Sequence, residues 1–106
     1  MKKTIDERKK AIVLDYLNTK FKGKEIEVKV SPHNPNYIMY YLGTTMILNA
    51  WKHSEKSNFR ANFGDRFLDE FIRWFPKFKY KRRVLRDWLF TNYDIKLPEG
   101  CVLYVP

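Results

Sequence analysis

Six cations, Lys77, Lys79, Lys81, Arg82, Arg83 and Arg86, fall within ten residues of one another. Side chains of this type at this density suit a polyanion, because a row of phosphates neutralises their mutual repulsion and releases counterions. In a helix, ~100° per residue places Lys79, Arg82, Arg83 and Arg86 in one sector. Leu85, Trp88 and Leu89 fall in another, rotated by roughly 120° on the same geometry. One helix can therefore bury an apolar stripe while presenting four cations together. A base-reading helix carries Asn, Gln or Ser beside its arginines. This one carries few, so phosphate contact is expected more than sequence reading. The break at Pro76 makes the segment the second member of a helix-turn-helix-like pair, the member that touches DNA in such pairs.

A second basic group, Lys52, Lys56 and Arg60, is interleaved with Trp51, His53, Asn58, Phe59 and Asn62. That mixture suits single-stranded nucleic acid, since rings stack on bases while cations hold phosphates. The competing expectation puts Trp51, Phe59 and Phe63 in the core, where large aromatics usually lie, and leaves the loop merely polar. A third group is Lys2, Lys3, Arg8, Lys9 and Lys10, of which Lys2 and Lys3 read as an arm for a polyanion or as a frayed, solubilising terminus.

The chemistry of an enzyme has weaker support. Glu27-Val28-Lys29 has the Glu-x-Lys form of metal-dependent nucleases, in which carboxylates hold Mg²⁺ and the lysine orients water. The nearest second carboxylate upstream, Asp15, is expected on a helix rather than on a neighbouring strand. Two histidines (His33, His53) and one cysteine (Cys101) lack the spacing of a zinc set. Cys101 is expected to be an inert core thiol. No glycine-rich phosphate loop is present. No catalytic residue, metal or cofactor is assigned.

The elements that must position these groups follow from pattern. Thr4-Ile5-Asp6-Glu7 is a capping box, and a helix is expected over about 4–21, with Gly23 as its stop. Its apolar sets are Ile5, Ile12, Tyr16 and Leu14, Leu17, Phe21. Glu25 to Ser31 alternates, with Ile26, Val28 and Val30 on one side, as a half-exposed strand does. Pro32 to Asn36 is a turn. Tyr37 to Leu42 is apolar on both faces and expected to be a central strand. Gly43-Thr44 makes a two-residue turn into a third strand over 45–51, and a loop follows, irregular up to Gly64. Asp65 is expected to cap a helix carrying Phe67, Leu68, Phe71, Ile72 and Phe75, ended by Pro76. A third helix fits 78–92, and Cys101 to Val105 a short buried strand. The fold class is α+β: a three- to four-stranded, mostly antiparallel sheet with three helices, order α-β-β-β-α-α-β. The first five elements share their order with a double-stranded-RNA-binding domain. That family's glycine-rich loop and Ser-Lys-Lys helix start are replaced here by Asn62-Phe63-Gly64-Asp65-Arg66-Phe67.

Composition sets the bounds. The 106 residues, 44% hydrophobic and 17% aromatic, suffice for one cored domain over 1–106 without disulfide or metal staples. With 21 Lys+Arg against 12 Asp+Glu the formal charge is +9, which attracts polyanions. No apolar run is long enough to span a bilayer and no signal-peptide core follows the N-terminal lysines, so a cytoplasmic protein without a membrane partner is expected. The leading expectation is a non-enzymatic protein binding DNA or RNA through phosphates. The alternative is a phage- or mobile-element-type inhibitor that docks its cations on an acidic surface of a host defence or replication protein. A Mg²⁺-dependent nuclease ranks third.

Overall fold

The computed structural model describes residues 5–74 and 81–103, in the order α1 (Ile5–Lys20), β1 (Ile26–Ser31), β2 (Asn34–Leu42), β3 (Thr45–Trp51), β4 (Arg60–Phe63), α2 (Asp65–Trp74) and α3 (Lys81–Asn92). The strands form one antiparallel sheet in sequence order, β1-β2-β3-β4. The α+β class and the four-stranded antiparallel sheet agree with the sequence. The source of the fourth strand does not. It is Arg60–Phe63, which reads as irregular loop, so four strands precede α2 and the order of the double-stranded-RNA-binding domain is lost. Within the described residues, the expected strand at 101–105 supplies a single parallel bridge, Leu103 to Ala61. Arg60 to Phe63 was illegible because four residues of mixed type carry too little periodicity. Their pairing to Leu48, Asn49, Ala50 and Trp51 is what makes them a strand.

Gly43 holds φ at +63°, and this sets the two-residue turn between Leu42 and Thr45. One residue later the ladder is irregular. Tyr41 pairs with Met46 and Tyr40 with Leu48, so Ile47 is an extra residue, and its side chain is fully buried. Gly23 ends the first helical segment at φ +75°. The Gly64 carbonyl accepts the Leu68 N–H at 2.9 Å, so α2 is entered one residue before Asp65, and Asp65 supplies a carboxylate to the first turn instead.

The register divides the sheet into two unlike faces. Ile38, Tyr40, Leu42, Leu48, Ala50, Ala61 and Phe63 face the helices and join one apolar cluster with Val13, Leu17, Phe21, Phe67, Phe71, Val84, Leu85, Trp88 and Leu89. α1 and the turn that follows it bury Val13, Leu17 and Phe21, spaced at i, i+4 and i+8. Of the two apolar sets read from sequence, the one with Leu17 and Phe21 is turned inward, and Ile12 of the other is 60% exposed. Phe21 is the junction of the helices: its ring lies 5.6 Å from Phe67 and 5.7 Å from Trp88, and Trp88 meets Tyr93 at 5.5 Å. Two polar bonds lock the layers. Trp88 Nε1–H donates to Asn18 Oδ1 at 2.7 Å, tying α3 to α1, and the Tyr40 hydroxyl donates to the Lys96 carbonyl at 2.9 Å.

The alternation of β1 is real but its consequence differs from expectation. Ile26, Val28 and Val30 do face the helix side, opposite Leu42, Tyr40 and Ile38. Val28 and Val30 are nonetheless exposed, because β1 is the edge strand and the apolar cluster does not include them.

Candidate nucleic-acid interface

The other face of the sheet is lined by Tyr37, Met39 and Tyr41 of β2, by Met46, Asn49 and Trp51 of β3, and by Arg60 and Asn62 of β4. None of its aromatic or methionine side chains belongs to, or packs against, the apolar cluster. Tyr37, Trp51 and Arg60 form one cross-strand row; Lys29, Met39, Asn49 and Asn62 form the next. The Tyr37 hydroxyl donates to Met46 Sδ at 3.9 Å and the Tyr41 hydroxyl to Met39 Sδ at 3.8 Å, which holds both rings along the sheet. Lys29 Nζ stands 4.9 Å from the Tyr41 ring centroid.

Trp51 ends β3 at 37% exposure, and around it the chain forms a cleft of about 570 Å³ lined by Trp51, Lys52, His53, Ser57, Asn58 and Arg60. Lys52 and Arg60 of the second basic group are thus drawn into one concave site, and Lys56 is not. Its walls are held locally: Lys52 N–H donates to the Asn36 carbonyl at 3.1 Å, and Ser57 N–H to the Ser54 carbonyl at 3.0 Å. Lys52 is more committed than its position in the sequence implies. Its ammonium lies 5.0 Å from the Phe59 ring and 3.7 Å from Glu55, with the side chain only 17% exposed. Arg60 and Lys56 are exposed, Arg60 on the cleft wall and Lys56 outside it. The core expectation holds for Phe63, which is buried, and in part for Phe59, which packs against the cluster; it fails for Trp51.

The first basic group is divided. Lys77 and Lys79 lie outside the described residues, as does the side chain of Lys81, the first residue of α3. Val84, Leu85, Trp88 and Leu89 are buried, so the apolar stripe is placed as its spacing predicts. Arg82 is half-buried and Arg83 exposed. Arg86 is engaged with its neighbour: Nε–H donates to Asp87 Oδ1 at 3.1 Å and a terminal nitrogen lies 3.1 Å from the same oxygen. Arg86 also lines a groove of about 350 Å³ with Asp87, Phe90, Leu97, Cys101, Val102 and Leu103. Leu103 bridges to Ala61, the residue after Arg60, so the groove and the Trp51 cleft both reach β4. Of the N-terminal group, Arg8 and Lys10 are exposed and Lys9 half-buried; Lys2 and Lys3 lie outside the described residues.

The Glu-x-Lys carboxylate pairs with its own lysine, Glu27 to Lys29 at 3.8 Å, and Asp15 sits on exposed α1 surface. Among the described residues no three His, Cys, Asp or Glu side chains gather as metal ligands. Cys101 packs against the apolar cluster, and burial pushes its thiol above the usual 9.0. No described helix is long and apolar enough to cross a membrane.

The sequence does not announce the open face, because Tyr37 to Leu42 is apolar throughout. The signal was the choice of side chain. Tyr37, Met39 and Tyr41 bring hydroxyls and a thioether to one face, whereas Ile38, Tyr40 and Leu42 bring mostly hydrocarbon to the other. Comparison with protein-family models, curated proteins and solved structures finds no match to this chain.

Proposed function

We propose that this is a non-enzymatic nucleic-acid-binding protein that takes a single strand of DNA or RNA along the open face of its sheet. The carrying observation is Trp51: a large, exposed indole beside Arg60 on the wall of a cleft, in line with Tyr37. Aromatic faces on a sheet stack unpaired bases, which a duplex keeps hidden, while cations at the rim hold phosphates. Arg60, Lys56 and Lys29 serve that second role here. Arg82, Arg83 and Arg86 extend the phosphate contacts, with Lys77, Lys79 and Lys81 adjoining in the chain. The formal charge of +9 supplies the long-range attraction.

Fluorescence anisotropy with mixed-sequence single strands and duplexes tests this. Single strands are expected to bind more tightly than duplexes, and steeply less well as salt rises. Trp51→Ala is expected to lower single-strand affinity by about 10- to 100-fold, the loss of one stacked base. Arg82→Glu with Arg83→Glu weakens single strands and duplexes alike. Equal binding by wild type and Trp51→Ala defeats the stacking role. Absence of any binding, together with a protein partner retained from nuclease-treated host extract, would replace this reading with the acidic-surface inhibitor.

A further inference from the structure

β1 is an edge strand whose residues are ordered to pair with themselves. One side of β1 meets β2, and among the described residues no strand lies on the other. A bare edge presents a row of unpaired backbone N–H and C=O groups, which recruit another strand unless something blocks them. The protection here is partial: Glu27 and Lys29 place charges on the edge and the ladder is irregular between Val30 and Ser31, which leaves Ile26 to Val30 regular. Ile26–Ser31 contains no proline, and Val28 and Val30, turned toward the helix side, are 55% and 54% exposed.

The charges choose the occupant. Glu27 and Lys29 flank Val28 and point to the opposite face of the sheet. Set a second copy of β1 antiparallel to the first about an axis through Val28, and Val28 meets Val28. Glu27 then meets Lys29 of the second copy, Lys29 meets Glu27, and Ile26 meets Val30. Every charge faces its opposite and every apolar side chain faces an apolar one. An axis through Glu27 or Lys29 would instead set that charge directly against itself, which destabilises a cross-strand pair. A slip of one residue would oppose Val28 to Lys29 and confuse the two faces of the sheet. A single register satisfies both the charge order and the face order.

We infer that the protein forms a two-fold symmetric dimer through antiparallel pairing of β1 with β1 of a second copy, centred on Val28. The contact is isologous, so one patch serves both copies and the assembly closes at two. The axis stands perpendicular to the sheet, so the two sheets join into one of twice the width with both open faces on the same side. Five residues a side make a small interface, and the dimer is expected to be reversible rather than obligate. The inference stands on β1 alone and does not depend on nucleic-acid binding.

Sedimentation velocity over a concentration series is expected to show a shift from monomer to dimer. Glu27→Lys and Lys29→Glu each place like charges opposite one another at both symmetric positions, and each alone is expected to abolish the shift. The double variant E27K/K29E restores it. Both side chains are more than half exposed, so the fold is expected to survive, with circular dichroism as the check. In a Cys101→Ser background, Val28→Cys crosslinks two copies under mild oxidation, whereas Val30→Cys, which faces Ile26, does not. A protein that stays monomeric at every concentration would overturn the inference. So would a dimer indifferent to both single charge reversals, or crosslinking at Val30 in preference to Val28.

Discussion

The two faces of the sheet are built from alternate residues of the same strands, yet helices cover one, while the other keeps half-buried or exposed side chains around a buried Asn49. Tyr40 and Tyr41 show the difference most directly. Tyr40 is 2% exposed, its ring within the apolar cluster and its hydroxyl bonded to the Lys96 carbonyl. Burial raises its pKa above the usual 10.0, with a further push from Cys101 nearby. Tyr41 is half-buried, its hydroxyl against a sulfur and its ring beside the Lys29 ammonium. The same residue type serves packing on one face and display on the other. An exposed aromatic therefore carries functional weight only once the face it occupies is known.

Truncation should divide the faces most sharply. Leu48→Ala on the covered face is expected to cost about 2–5 kcal/mol in urea unfolding, the loss of a fully buried leucine plus its cavity. Trp51→Ala on the open face should cost well under that, while weakening single-strand binding. Comparable losses at both positions would mean that Trp51 is structural and the open face a second core.

Removing hydroxyls tests the same division with less disruption. Tyr40→Phe leaves the Lys96 carbonyl without its donor and is expected to cost about 1 kcal/mol. Tyr41→Phe gives up only a long contact to sulfur and should be near neutral. Thermal unfolding of the two variants side by side reads this, and equal shifts would erase the distinction.

The smallest expected effect lies at the helix layer. Lys20 of α1 meets Glu70 of α2 at 2.9 Å, with the two side chains 25% and 51% exposed. Burial pulls the Lys20 ammonium down, but hydrogen bonds to Glu70 and Tyr16 outweigh it and hold the pKa above the usual 10.5. A raised lysine pKa stabilises the fold fully below about pH 10.5 and loses that contribution as pH rises through the folded-state value. Glu70→Gln is therefore expected to cost less than about 1 kcal/mol at neutral pH, as partly exposed pairs do. The gap to wild type should close only in strongly alkaline solution, as measured by urea unfolding at several pH values.

Much of the architecture was legible without coordinates. Glycine after the first helix, glycine in the first hairpin turn, the alternation of β1 and the apolar stripes of α2 and α3 are local signals, and the chain follows them. Phe67, Phe71, Leu85, Trp88 and Leu89 are all buried, as their spacing implies. The misplacements share a cause. β4 and the exposure of Val28 and Val30 depend on which element lies alongside, as does the choice between the two apolar sets of α1, and no spacing along one segment reports that.

The basic groups divide in the same way. That they exist, and that Arg82, Arg83 and Arg86 sit to one side of the buried stripe of α3, follows from residue order and the pitch of a helix; how far each is covered does not, and Arg82 and Arg86 are half-buried. Pairing was needed to put Trp51 beside Arg60, to align Tyr37 with both, and to raise the 52–60 loop into the wall of a cleft. Cross-strand neighbours come from distant parts of the chain, and a face is open or closed according to whether a helix docks on it. By itself the sequence determined a basic α+β domain with an apolar interior. The tertiary structure decided which aromatics seal that interior and which stand at its surface, because burial is settled by packing between elements rather than within them.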